Sequence, residues 1–122
     1  MPLSAMCPVI VLNDQEQVEL VMGSAGSRAI ITTNAWITVR SVFTDASLTE
    51  IVDEKRIHNQ LQPNNVDSYE EGFPMDILDA LKSMGHEMKG KTRLSIVQAI
   101  KRVENEWMAY SDPRKKGYSA GY

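Results

Sequence analysis

The chain has 122 residues, of which 43% are hydrophobic and 24% are charged, with a formal net charge of -3. These values predict one globular unit over residues 1–122 that can bury a core. An acidic balance argues against a nucleic-acid partner, because phosphates need a basic face to neutralise them. No apolar run reaches the ~18 residues that cross a bilayer, and no targeting signal is recognisable.

The N-terminal stretch predicts a hairpin followed by a small-residue loop. The apolar runs 9–12 and 18–22 flank Asn13-Asp14, which supplies turn chemistry. Residues 23–27 read GSAGS and open into a long apolar segment. Backbone N–H groups of such a loop converge at a helix N-terminus, where a negative oxygen is favoured. Taken alone, the loop favours a plain tight connection over an oxyanion site.

The segment 27–43 is predicted to be a largely buried helix. Its residue types favour a strand, but about 17 residues without a turn signal are long for one. Apolar residues recur at helical spacing, with Trp36 and Phe43 alongside: Ile31, Ala35, Val39 and Val42. We expect Trp36 to pack in the core.

Capping and turn signals divide the middle of the chain. Ser47 and Glu50 form a capping-box pattern for a helix over 48–54. A short extended segment is predicted at 56–61 and a turn at 63–65. Residues 66–71 fit either a strand or a loop. Pro74 begins an amphipathic helix that Gly85 ends.

The C-terminal part predicts a second hairpin. Residues 86–93 are basic and turn-prone, 94–103 and 107–110 form the two arms, and 104–106 form the tip. A turn follows at 111–114. Because strands are grouped together and helices together, we predict an α+β fold rather than βαβ winding.

Six short motifs occur in the order and spacing of a known family: PLSAMCP, GSAGS, RIHNQLQPN, VQAI, SDPRKKG and AGY. Together they resemble the C-terminal part of the small (light) chain of gamma-glutamyltransferases, also called gamma-glutamyl transpeptidases or glutathione hydrolases. The resemblance covers nearly the whole chain and is greatest to the animal enzymes. It implies part of the αββα sandwich of N-terminal-nucleophile hydrolases, in which antiparallel sheets lie between helical layers. It also implies an extracellular or cell-surface location.

The resemblance places the nucleophile outside this chain. In the family, an N-terminal threonine of the small chain attacks the gamma-glutamyl amide while an amine acts as base. No residue here matches that threonine, so we expect the chain to be inactive by itself. The implied partners are the large (heavy) subunit and the rest of the small chain, with glutathione or other gamma-glutamyl compounds and amino-acid acceptors as substrates.

Two pairs of positions match functional pairs of the family. Ser4-Ala5 resembles a Ser-Ser pair that binds the glutamyl α-carboxylate, so Ala5 lacks one contact. Loss of such a hydrogen bond costs about 1.5–3 kcal/mol. A turn serine that bonds its own backbone is the alternative for Ser4. Gly26-Ser27 resembles a Gly-Gly pair whose amides form the oxyanion hole. If that position needs positive φ, Ser27 is strained there.

Other reactive residue types predict no further site. Cys7 has no neighbouring base to activate it and is interpreted as a buried filler. His58 and His86 lack metal-ligand spacing, so neither a metal nor a cofactor is expected, and His58 is predicted to be packed and hydrogen-bonded. Two functions therefore stand: a portion of a gamma-glutamyltransferase small chain, or an inactive light-chain-like fragment or paralogue that acts as a scaffold or binding piece.

Overall fold

In the computed structural model, which describes residues 3–62 and 66–121, the elements follow nearly the predicted order. They are β1 (Val9–Leu12), β2 (Val18–Ala25), α1 (Ala29–Phe43), α2 (Leu48–Asp53), β3 (Ile57–His58), β4 (Val66–Glu70), α3 (Met75–Ser83), β5 (Glu87–Lys91), β6 (Ile96–Val103) and β7 (Glu106–Ser111), with a 3-10 helix at Pro113–Lys115. The chain divides into a first unit, Met1–Glu54 with Ser95–Tyr122, and a second unit, Lys55–Leu94. The turn predicted at 63–65 lies outside the described residues.

Both predicted hairpins are confirmed, and they form the antiparallel sheet of the first unit in the order β1-β2-β6-β7. The first turn is closed by Asn13, whose side-chain oxygen accepts the amides of Gln15 and Gln17 at 2.9 Å each. The second turn places Glu104 (φ 48°) and Asn105 (φ 70°) at positive φ. Positive φ at both central residues matches the right-handed twist of the flanking strands.

One face of this sheet and the two helices enclose the core of the first unit. The buried cluster joins residues of β2 and β6 to residues of α1 and α2: Leu20, Met22, Ile37, Leu48, Ile51, Val52, Val97 and Ala99. The capping box predicted for α2 is confirmed, because the Ser47 hydroxyl accepts the Glu50 amide and the Glu50 carboxylate accepts the Ser47 amide. These bonds satisfy donors that a helix start otherwise leaves open.

Helix α1 is confirmed, but the face predicted to be buried is wrong. The stripe at 31, 35, 39 and 42 is exposed, with Ile31 at 58% and Val39 at 53% of full exposure. The helix buries a different and more polar set: Ala29, Ile30, Thr33, Asn34, Ile37 and Ser41. Apolar residues lie on both faces, so their spacing does not select the face that packs on the sheet.

Trp36 lies at the edge of the covered face. It packs against the core cluster, as predicted, and is half-buried. Its indole N–H donates to the Glu54 carboxylate at 2.9 Å, and the Arg40 guanidinium pairs with the same carboxylate. The pair raises the pKa of Arg40, chiefly through the side-chain hydrogen bond to Glu54. Helices α1 and α2 are therefore joined by polar as well as apolar contacts.

The second unit contains a mixed sheet in the order β3-β4-β5. Strand β4 settles the open choice at 66–71 as a strand, and it pairs antiparallel with β3. The prediction of a turn-prone segment at 86–93 is wrong for Glu87–Lys91, which pairs parallel with β4. Two parallel strands need a crossover, and α3 provides it. The expectation of no βαβ winding is therefore wrong for this unit.

Helix α3 begins one residue after the predicted first residue, Pro74, and ends before Gly85 as predicted. Pro74 precedes its first residue, and Gly85 follows it with φ 95°, a conformation that glycine adopts without strain. Leu78 is its buried residue in the described structure. Polar, lysine-containing β5 lies at the edge of the sheet, where such residues are common.

Candidate functional site

The loop between β2 and α1 makes a sharp turn over three residues. Gly26 has φ 151°, Ser27 has φ 55°, and Arg28 is already helical. The carbonyls of Gly26 and Ser27 accept the amides of Ala29 and Ile30 at 3.1 and 3.2 Å. The predicted opening of the loop into a helix is confirmed, although residues 23–25 belong to β2, where they pair with β6.

The turn leaves a backbone donor available at the start of α1. Within residues 3–62 and 66–121, the amide of Ser27 donates a hydrogen bond to no protein atom, and the residue is exposed. Ser27 immediately precedes Arg28, the N-cap residue of α1, and the N-terminal end of a helix carries partial positive charge. An oxygen with negative charge is therefore favoured beside this loop.

Ser27 adopts positive φ, the backbone conformation in which a serine was expected to be strained. A left-handed conformation costs a residue with a Cβ about 1–2 kcal/mol. Such strain persists only where surrounding contacts enforce it. Here β2 holds the loop on one side and the first turn of α1 holds it on the other.

Ser4 and Ala5 lie in the segment that precedes β1. Ser4 is exposed, and its Oγ accepts the amide of Met6 at 3.1 Å. This local bond is the alternative stated above for Ser4. It still leaves the hydroxyl hydrogen for donation, because a serine hydroxyl both accepts and donates. Ala5 is half-buried and offers no side-chain donor.

A buried amide side chain joins the segment before β1 to the end of β2, which leads into the loop. Asn34, only 3% exposed, lies on the covered face of α1. Its Nδ2 donates to the Cys7 carbonyl at 2.5 Å and contacts Cys7 Sγ at 3.4 Å, while its Oδ1 accepts Ser24 Oγ at 2.7 Å. Sequence reasoning missed Asn34; an amide between Ile30 and Ile37 was the signal that could have found it, since buried polar groups need partners.

A second polar contact fixes the start of α1. The hydroxyls of Thr33 and Ser95 lie 2.6 Å apart, and both residues are buried. Ser95 immediately precedes β6. The beginning of α1 is thus held by hydrogen bonds as well as by apolar contacts.

The segment after β7 closes the first unit through Asp112 and Arg114. Asp112 is fully buried and accepts the amides of Val97 and Arg114 at 2.9 and 3.0 Å. The Arg114 guanidinium donates to the carbonyls of Val52 and Glu54, each at 2.8 Å. Those carbonyls lie at the end of α2, where intrahelical partners run out. Asp112 and Arg114, which belong to the SDPRKKG motif, therefore have a structural role in this chain.

The two histidines belong to the second unit. His58 Nε2 lies 3.1 Å from Gln60 Oε1, so its predicted hydrogen bonding is confirmed. His86 Nδ1 lies 2.5 Å from Oδ2 of the buried Asp67. In the described part of the chain, no group of three or more His, Cys, Asp or Glu residues is arranged to hold a metal ion. None of the helices described here has the length and apolar character to cross a membrane.

Comparison with known proteins finds relatives that match nearly the whole chain. The family profile described as Gamma-glutamyltranspeptidase matches residues 1–122. Scoloptoxin SSD20 of Scolopendra dehaani is 32% identical over 123 residues, which cover 99% of this chain and 62% of that protein. The glutathione hydrolase proenzyme of Escherichia coli (strain K12) is 34% identical over 123 residues, covering 99% of this chain and 21% of that protein.

Solved structures show the same fold. Gamma-glutamyltranspeptidase from Pseudomonas nitroreducens, complexed with L-DON, has a TM-score of 0.84 and 30% identity, covering 98% of this chain and 62% of that one. The Bacillus anthracis transpeptidase enzyme CapD, at 21% identity and a TM-score of 0.79, agrees in fold alone. The chain spans less than two thirds of the scoloptoxin, the proenzyme and the Pseudomonas chain.

The antiparallel sheet, with its helices on one face, is part of the N-terminal-nucleophile hydrolase sandwich that the resemblance implied. The chain belongs to the gamma-glutamyltranspeptidase family.

Proposed function

We propose that this chain is a C-terminal portion of an animal-type gamma-glutamyltransferase small chain and supplies two contacts to a gamma-glutamyl site. The reaction is transfer of the gamma-glutamyl group of glutathione or its conjugates to water or to an amino acid. All 122 residues serve as one portion of the small chain. The observation that carries the proposal is the turn at 26–28, where the exposed residue Ser27 has a backbone amide that donates to no protein atom of the described residues.

The carbonyl end of the substrate belongs at Gly26-Ser27. Attack on an amide places negative charge on its oxygen, and backbone N–H groups aimed at that oxygen stabilise the transition state. The amide of Ser27 and the dipole of α1 favour charge at this place. Ser27 adopts φ 55°, which is unfavourable for a residue with a Cβ. We therefore expect slower catalysis with serine than with glycine at this position.

The α-carboxylate end of the substrate belongs at Ser4. Its hydroxyl hydrogen remains for donation although its Oγ accepts the Met6 amide. Ala5 offers no second donor, so substrate binding is weaker by about tenfold or more than with two serines. The two contacts act on opposite ends of one gamma-glutamyl group.

The rest of the machinery comes from outside these residues. We propose that a threonine at the N-terminus of the complete small chain provides the nucleophile, and that a large chain completes the site. On the sheet face opposite the core, Ile10 pairs with Val21 and Val21 with Ile100, and all three are exposed. This apolar face supports a covering partner, because large exposed apolar patches usually mark an interface. We place the assembled protein outside the cell or at its surface, by its resemblance to the family.

A hybrid enzyme tests the proposal. This chain replaces the segment of the Escherichia coli proenzyme that it matches, and self-cleavage into two chains reports folding. We expect the hybrid to release p-nitroaniline from gamma-glutamyl-p-nitroanilide, and the Ala5→Ser hybrid to bind that substrate about tenfold more tightly. Turnover by the 122-residue chain alone would contradict an external nucleophile.

A second candidate function is an inactive light-chain-like scaffold or binding piece. The strained Ser27 and the missing hydroxyl at Ala5 favour it, since both departures fall on functional positions. A self-cleaved hybrid that is silent, but gains activity with Ala5→Ser and Ser27→Gly together, would show that these two positions have lost catalysis, as the second function requires. A self-cleaved hybrid that stays silent even then would reject the assignment of both contacts.

A further inference from the structure

The side chain of Asn34 uses both ends of its amide in a buried place. It donates to Cys7 from one end and accepts from Ser24 at the other. Cys7 follows Ser4 by three residues, and Ser24 precedes Gly26 by two. A single side chain therefore bridges the segment that contains Ser4 and the end of β2 that leads into Gly26-Ser27.

The ladder between β1 and β2 ends at the pair Val9 and Met22, so segment 4–7 lies just beyond the end of that ladder. Residues 3–8 precede the first strand, and Ser4, Met6 and Pro8 are exposed. The contact from Asn34 is made to the backbone carbonyl of Cys7, so it constrains the path of the chain itself. A fully satisfied buried polar network makes one arrangement more favourable than its neighbours.

We propose that Asn34 is a positioning residue that fixes the distance between segment 4–7 and loop 26–27, and thereby selects the length of the acyl group. This inference rests on the function proposed above. A gamma-glutamyl group places two methylenes between its α-carbon and the attacked carbonyl, and a β-aspartyl group places one. With both ends held, only one length brings the carbonyl oxygen to the loop amide.

The test compares two anilide substrates in the hybrid enzyme, gamma-glutamyl-p-nitroanilide and β-aspartyl-p-nitroanilide. Asn34→Leu keeps the number and branching of the side-chain heavy atoms and removes both hydrogen bonds. We expect kcat/KM for the glutamyl substrate to fall about 10- to 100-fold, since a misplacement of about 1 Å has such effects. The value of kcat/KM for the aspartyl substrate should fall less, so that the ratio of kcat/KM for the glutamyl substrate to that for the aspartyl substrate decreases.

Two further variants separate positioning from simple destabilisation. Ser24→Ala removes the bond at one end of Asn34 and should narrow the preference partially. Thr33→Val is the matched control, because it removes the neighbouring buried bond to Ser95 on the same helix without touching the amide network. It should lower both rates by one common factor. An equal loss on both substrates for Asn34→Leu and Ser24→Ala would overturn the proposal.

Amide hydrogen exchange, measured on the 122-residue chain itself rather than on the hybrid, tests the positioning role without any catalysis. Asn34→Leu should speed amide exchange at residues 5–7 relative to the parent chain, and Thr33→Val should not. If the hybrid is silent but exchange responds in this way, Asn34 does fix segment 4–7, and it is the proposed function that fails. If exchange at 5–7 is unchanged, the positioning role is wrong whatever the hybrid does.

Discussion

The two faces of the four-stranded sheet differ in what covers them. On one face, Leu20 and Val97 are almost completely buried under α1 and α2. On the other, Ile10, Val21 and Ile100 are paired in register across three strands and remain exposed. Neighbouring residues of one strand, Leu20 and Val21, thus lie in opposite environments.

This difference shows which face of the sheet is packed by residues of this chain. Hydrophobic burial stabilises the covered face within these residues. The open face carries a row of apolar residues that a monomer rarely presents to water. In a sandwich of two stacked sheets, the second sheet packs on such a face. The chain is therefore built as one side of that sandwich.

The largest expected effect is on the free energy of unfolding, and it should differ between Leu20 and Val21, two consecutive residues on opposite faces of the sheet. Leu20→Ala removes buried methyl groups and leaves a cavity, so the free energy of unfolding should fall by about 2–5 kcal/mol. Val21→Ala should change it by about 0.5 kcal/mol or less, since exposed sites contribute little. Urea denaturation followed by circular dichroism measures both. Equal losses would show that the two faces are equally covered.

The next effect concerns the end of the covered face. Asp112→Ala leaves the amides of Val97 and Arg114 without their acceptor, and the free energy of unfolding should fall by about 1–3 kcal/mol. Asp112→Asn is the control, because it retains one side-chain oxygen as an acceptor and should lose less. A larger loss for asparagine than for alanine would argue against this hydrogen-bond account.

A smaller effect is expected at the cap of α2, one of the helices over the covered face. Ser47→Ala should cost about 1 kcal/mol of unfolding free energy at neutral pH. The side-chain and backbone hydrogen bonds of Ser47 hold the pKa of Glu50 below its usual range. A lowered pKa stabilises the fold above the usual carboxylate range, and this contribution disappears as the pH falls through the folded pKa.

Denaturation as a function of pH checks the cap. The difference between the parent chain and Ser47→Ala should be largest near neutral pH and should shrink on acidification. Thr49→Ala is a suitable control, because Thr49 lies beside the cap but accepts no backbone amide in the described structure. A difference that grows as the pH falls would contradict the assigned role of Glu50.

The smallest effect on stability is expected on the open face. Ile100→Gln should change the unfolding free energy by about 0.5 kcal/mol or less, yet reduce self-association of the isolated chain. Light scattering over a range of concentrations measures this. Unchanged association would show that the open face does not drive it.

Much of this fold follows from local sequence chemistry. Asn13 at the first turn, the Ser47–Glu50 capping box and Pro74 before α3 each satisfy or constrain backbone groups within a few residues. Such signals need no knowledge of distant contacts, and the structure confirms the elements they predict. The Gly26-Ser27 turn was likewise visible as a loop before a helix.

Features that depend on distant neighbours were not predictable in this way. The buried face of α1 depends on the sheet beneath it, and apolar residues on both faces gave no preference. Strand β5 has a polar sequence and forms because β4 offers it a partner. The role of Asn34 depends on Cys7 and Ser24, which lie 27 and 10 residues away.

The most direct test of the central claim is kcat of the hybrid enzyme with glycine or alanine at position 27. Glycine adopts the observed φ of Ser27 without strain, whereas alanine retains the Cβ. The account predicts that Ser27→Gly raises kcat for gamma-glutamyl-p-nitroanilide, by up to about two to three orders of magnitude, and that Ser27→Ala does not. Equal kcat values for the two variants would contradict an oxyanion role for this loop.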